Sequence, residues 1–197
     1  MIFHGADTQK KKCRWMNSQL LIYQGNNMKS EKVICNTSPI IGLLSIGRLS
    51  LLWELFDEII LPDAVFRELC AGSSVHQKEI IEIKEYVSKG YLKIYKVKNA
   101  AMVKSMYGKL HFGELEVIVA TKELGLHLAI IDEKAARKMA SEFLIDTIGI
   151  LGILILAKQN QLLSCVKPDI DKLRMNGYRI SDELYEQLLE KAGENNE

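Results

Sequence analysis

Apolar residues along this chain fall into short blocks, and their spacing alternates between a strand's period and a helix's. Val33-Ile34-Cys35 is an apolar run read as a short buried strand. Ser38-Pro39 follows as a helix start, with serine as N-cap and proline where no N–H is needed. Asn36 then lies at the carboxyl end of the first strand. An apolar helix is predicted near Leu49 to Phe56, a strand over Glu58 to Leu61, and a helix from Pro62 through Cys70. Gly72-Ser73-Ser74 breaks the chain. Further blocks predict a helix from His76 to Ser88, a strand over Tyr91 to Tyr95, and a helix near Ala100 to Tyr107. Glu114 to Leu124 reads as a strong helix. His127 to Ile131 is a strand with Asp132 at its end, and Phe143 to Asp146 a last short strand. The apolar helix after it runs to Asn160. Beyond that the chain is helical near Pro168 to Met175 and again after Ser181, with Leu184, Leu188 and Leu189 on one face.

Strands separated by helices imply an α/β fold with helices on both faces of a central parallel sheet. In such sheets ligands bind at the carboxyl ends of strands where the strand order reverses. That rule singles out Asn36 and Asp132. Residues 1–27 differ from the rest. They lack sustained periodicity and end in Gly25-Asn26-Asn27, so they read as an N-terminal extension, either ordered or appended outside the fold. Residues 28–160 form the main domain, and 161–197 a C-terminal helical extension packed on it.

Composition narrows the function classes. The 197 residues are 48% hydrophobic and 26% charged, with a formal net charge of +1. The first 27 residues hold four basic side chains against Asp7, so the rest carries a net −2. There is no global pull toward nucleic acid, and any such surface must be local or recruit cations. Cys13, Cys35, Cys70 and Cys165 form no C-x-x-C pair, and His4, His76, His111 and His127 show no ligand spacing. That pattern points away from a zinc site or a disulfide framework. Thiols of this kind suit a reducing, cytoplasmic compartment. The longest apolar run, Ile148 to Ala157, is about half a membrane span and reads as a buried helix.

Four positions could converge on the sheet's carboxyl edge: Asn36, Glu68, Glu114 and Asp132. Each admits a simpler reading alone. Asn36 can be a turn former, Glu68 a half-exposed helix acid, Glu114 a macrodipole partner, and Asp132 the cap of the next helix. Their joint placement carries the argument. Clustered carboxylates repel one another, and Mg²⁺ or Mn²⁺ relieves that repulsion because hard cations prefer oxygen ligands. Such an ion can polarise a phosphate and activate a water for in-line attack. Glu116 is roughly 200° around the helix from Glu114, so the two cannot face one site. Arg137, one turn past Glu133, is either a surface ion pair or a phosphate contact.

The string VICNTSPIIGLLSIGRLSLLWELFDEIILPDAVFREL resembles the opening of PIN-domain proteins, close to the VapC-like toxin nucleases. FGELEVIVATKELGLHLAIIDEKAARKMA and GILGILILAKQNQLL resemble their second half. The resemblance covers about Val33 to Leu189. It implies a PIN-like (Rossmann-like) three-layer α/β/α fold, Mg²⁺- or Mn²⁺-dependent cleavage of single-stranded RNA, and often neutralisation by an antitoxin. A homodimer fits as well. By this resemblance the family's four acids fall on Asn36, Glu68, Glu114 and Asp132, with Thr37 or Ser38 as the hydroxyl after the first. Thr37, Ser38 and Arg137 are the expected substrate contacts.

The departure is Asn36, where the family has aspartate. An asparagine can ligate through its carbonyl oxygen but without charge. One unit charge about 4 Å from another is worth roughly 4 kcal/mol at an effective dielectric of 20. Even a fraction of that weakens metal binding more than tenfold. Three readings follow: a metal-dependent ribonuclease weakened by Asn36, a degenerate PIN domain that binds RNA or an antitoxin, and an α/β protein whose acids are caps and surface charges.

Overall fold

The structure is a computed structural model and describes residues 31–71, 77–106, 108 and 110–194. The expectations for residues 1–27, the Gly72–Ser74 break, His76 and Tyr107 lie outside them. Five strands form one all-parallel sheet: β1 (Lys32–Cys35), β2 (Glu58–Pro62), β3 (Leu92–Tyr95), β4 (Leu128–Ile130) and β5 (Asp146–Ile148). Their order is β3-β2-β1-β4-β5. The chain builds outward from β1 in one direction and then returns to its other side, so the order reverses between β1 and β4.

Among the described residues ten helices accompany the sheet: α1 (Thr37–Ser45), α2 (Leu51–Leu55), α3 (Asp63–Ala71), α4 (Gln77–Ser88), α5 (Ala100–Ser105), α6 (Phe112–Glu123), α7 (Lys134–Glu142), α8 (Ile150–Gln159), α9 (Lys167–Met175) and α10 (Asp182–Ala192). The architecture is a three-layer α/β/α sandwich, the expected fold class. Helix α6 lies across β1, β2 and β4, and is buried from Gly113 to Thr121. Helix α8, the apolar run, packs against α1, α2 and α10. Parallel strands covered on both faces have no polar side to show, hence the continuous runs Val33-Ile34-Cys35 and Ile59-Ile60-Leu61.

Several predicted boundaries shift, for physical reasons. Ser38 is not the N-cap of α1. Asn36 holds that position with an extended backbone, and the Ser38 hydroxyl is engaged elsewhere. Pro62 ends β2 rather than starting α3, as proline's fixed φ suits either edge. The last strand is not Phe143 to Asp146 but Asp146–Ile148, because Leu144 takes a left-handed turn at φ 56°. The final helix behaves as read: the Ser181 side chain accepts from the Leu184 N–H, and Gly193 ends it at φ 70°.

Candidate metal centre

The Asn36 backbone N–H donates to the Ile130 carbonyl at 3.0 Å, tying the end of β1 to the end of β4. This places Asn36 beside the Asp132-Glu133 pair, at the reversal of strand order. Asn36 is buried, with 3% of its surface exposed. Its side-chain Nδ2 donates to Glu133 Oε2 at 3.0 Å, and the Ser38 hydroxyl donates to Glu133 Oε1. Both oxygens of Glu133 are thus held by the segment where the first acid was expected. The backbone N–H of Asn36 is consumed by the sheet, so its side chain is free to serve as a neutral donor.

Asp132 is held from two other directions. Its Oδ1 accepts from the Ile150 N–H at 2.9 Å, the first residue of α8. Its Oδ2 accepts from the Tyr178 hydroxyl, in the connection between α9 and α10. Asp132 therefore caps α8, not the helix that follows it in sequence. Gly149 makes this possible: a Cβ there would stand 2.5 Å from Asp132 Oδ1 and 3.5 Å from Arg137 Nη1. Gly42 gives Tyr178 its room, since a Cβ there would stand 3.1 Å from the ring. Burial pushes the Asp132 carboxyl above the ordinary range, against the two hydrogen bonds that pull it down. Burial likewise lowers the Arg137 guanidinium, while the Asp132 and Glu133 charges oppose that shift.

Glu114 and Glu68 approach from the other side. Glu114 is buried in the first turn of α6, and its Oε2 accepts from the His111 N–H at 2.9 Å. Burial raises its pKa, and the charges of Glu133 and Glu68 add to the rise. Glu68 is exposed on α3, where its Oε2 takes the Thr37 hydroxyl at 2.7 Å and lies 3.0 Å from where a Cβ on Gly113 would be. Glu116 faces away, accepting from the Ala64 N–H at 3.0 Å. An open bay of about 1400 Å³ is lined by Ser38, His111, Glu114, Asp132, Glu133 and Tyr178, with Lys134 and Arg179. Asn36, Thr37 and Glu68 do not line it and stand behind its carboxylates.

With this geometry in place, comparison with family profiles matches residues 32–194 to the family described as PIN domain. The chain belongs to the PIN-domain family. A search of curated proteins returns no match. The PIN domain is a nuclease-type fold, and PIN domains generally use divalent metal ions. The donor set in this chain fits such an ion in kind: oxygen donors only, and a buried carboxyl, Glu114, that neighbouring carboxylates push toward protonation. A cation would relieve that repulsion. In this conformation the oxygens are turned to internal donors, and among the described residues no three His, Cys, Asp or Glu side chains converge as a ligand group.

Two site residues escaped the sequence reading. Glu133, held by Asn36 and Ser38, has one signal in the sequence, its adjacency to Asp132. Tyr178 carried no signal, being 46 residues from its partner.

Proposed function

We propose that this PIN domain is a divalent-cation-dependent endoribonuclease hydrolysing phosphodiester bonds in single-stranded RNA, with Glu133 supplying the charge that Asn36 lacks. The observation that carries this is the set Glu114, Asp132 and Glu133 around one open bay at the strand-order reversal. With Glu68 behind them the region holds four carboxylates, the number the family pattern expects. Asp132, Glu133 and Glu114 would hold Mg²⁺ or Mn²⁺, with Glu68 and the Asn36 amide in support. Bound there, such an ion supplies phosphate polarisation and an activated water. Tyr178 and Ile150 fix where the Asp132 carboxylate stands, and Asn36 and Ser38 do the same for Glu133, while each carboxylate oxygen keeps a second lone pair. Thr37 positions Glu68, and Ser38 and Arg137 face the substrate through Glu133 and Asp132.

The test is cleavage of a labelled single-stranded RNA with Mn²⁺, with and without chelator. Chelator-sensitive cleavage that is lost in Asp132→Asn supports the reading. Absence of cleavage in both the native chain and Asn36→Asp sinks it.

A second reading has its own support. The uncharged Asn36, and carboxylates already satisfied by internal donors, suit a module that binds RNA or an antitoxin without turnover. RNA affinity without cleavage, and with no Mn²⁺ binding by calorimetry, selects it.

A further inference from the structure

Two cations on the bay lining have no part in the chemistry above. Lys134 and Arg179 both line the bay and both are exposed. Among the described residues neither has an ion-pair partner. Each directly follows a residue anchored in the site. Lys134 follows Glu133, which Asn36 and Ser38 hold, and Arg179 follows Tyr178, whose hydroxyl donates to Asp132. The anchors fix the two backbones relative to the carboxylates, while the long side chains keep their reach. Arg137 is different, because it is half-buried against the charges of Asp132 and Glu133.

A lining of Glu114, Asp132 and Glu133 repels a phosphodiester chain, and the body of the protein offers no net positive field to offset this. A polyanion must therefore find cations beside the acids. An arginine fork suits phosphate oxygens bidentately, and a lysine ammonium acts as a point charge. The two come from separate elements, the first turn of α7 and the α9–α10 connection, so a ligand touching both needs more than one phosphate.

We propose that Lys134 and Arg179 form a two-point phosphate clamp that holds the backbone of single-stranded RNA across the acidic bay. This rests on the nuclease reading above and names its substrate contacts. The test follows binding of a fluorescein-labelled oligouridylate to the full chain by anisotropy, in chelator so that nothing is cut, over a salt series. The double variant Lys134→Ala/Arg179→Ala is expected to bind at least tenfold more weakly. Its log–log salt slope should be shallower by about 1.4, as for two lost phosphate contacts on a single strand. Uridine monophosphate should compete poorly. The control pair Lys84→Ala/Lys172→Ala removes the same charge from exposed sites elsewhere and should leave affinity unchanged. Native-like binding by the clamp variant, or an equal loss in the control pair, overturns the clamp and leaves the nuclease reading standing. Failure of the native chain to bind the oligonucleotide at the lowest salt also overturns the clamp, whereas the nuclease reading is decided by the Mn²⁺ cleavage assay above.

Discussion

At the end of β1 the Asn36 amide faces the Glu133 carboxylate, its Nδ2 donating to Oε2. The neutral amide gives a hydrogen bond, and the charge sits on the residue after Asp132. Replacing Asn36 with aspartate sets two carboxylates about where a donor and acceptor now stand 3.0 Å apart. Asn36→Asp is therefore expected to lose about 1–3 kcal/mol in chelator, the scale of an uncompensated buried polar contact, and to recover it in Mn²⁺. Thermal melts with and without the ion decide this, and an unshifted melt in chelator contradicts the contact. Gly149 offers a second check. Its backbone is extended at φ −100°, so alanine strains no torsion there, but its Cβ would collide with Asp132 Oδ1. Gly149→Ala should cost about 1–3 kcal/mol by overpacking and abolish cleavage if Asp132 is displaced. Full activity in this variant would show that the position of Asp132 is not critical.

Four helix starts in this fold are served by carboxylates from distant elements. Asp132 serves α8, Glu116 serves α3, Glu123 takes the Lys98 and Asn99 N–H groups before α5, and Glu194 takes those of Val166 and Lys167 at the start of α9. Each satisfies orphan N–H groups that the local sequence leaves open, and a negative charge there complements the helix dipole. Glu194 also accepts from the Cys165 thiol and the Lys158 ammonium. These donors outweigh burial and hold its carboxyl down at about 2, against an ordinary 4.5. A depressed folded pKa stabilises fully above the unfolded value, and the contribution is lost as pH falls through the folded one. Glu194→Gln should thus cost about 1–3 kcal/mol at pH 7. The gap between variant and native chain should narrow from about pH 4.5 toward pH 2. Denaturant melts at several pH values measure it, and a gap constant with pH would contradict the charged cap.

At the scale of the molecule, the C-terminal helices belong to the site as much as to the surface. Ile170, Leu173, Leu188 and Leu189 are in the main hydrophobic core. Asp169, 1% exposed, pairs with Arg48 at 2.9 Å, Tyr178 reaches Asp132, and Glu194 closes onto Lys158. We expect a chain ending at Asn160 to lose its cooperative thermal transition, because it uncovers α8 and removes a donor from Asp132. Circular dichroism melts test this. A sharp transition in the shortened chain would make residues 161–197 a dispensable appendage.

The sequence by itself determined the alternation of strands and helices, the parallel sheet, and the strand ends at Asn36 and Asp132. These follow from local periodicity and from the steric rules of strand connection, which act over a few residues. It also marked Glu68 and Glu114 as acids near a common edge. Only the tertiary structure decided what each side chain does. Whether Ser38 caps its own helix or reaches Glu133, which helix Asp132 caps, and whether Tyr178 matters depend on partners 18 to 95 residues away. A hydrogen bond satisfies whichever donor packing brings within about 3 Å, and sequence spacing says nothing of that distance across the fold.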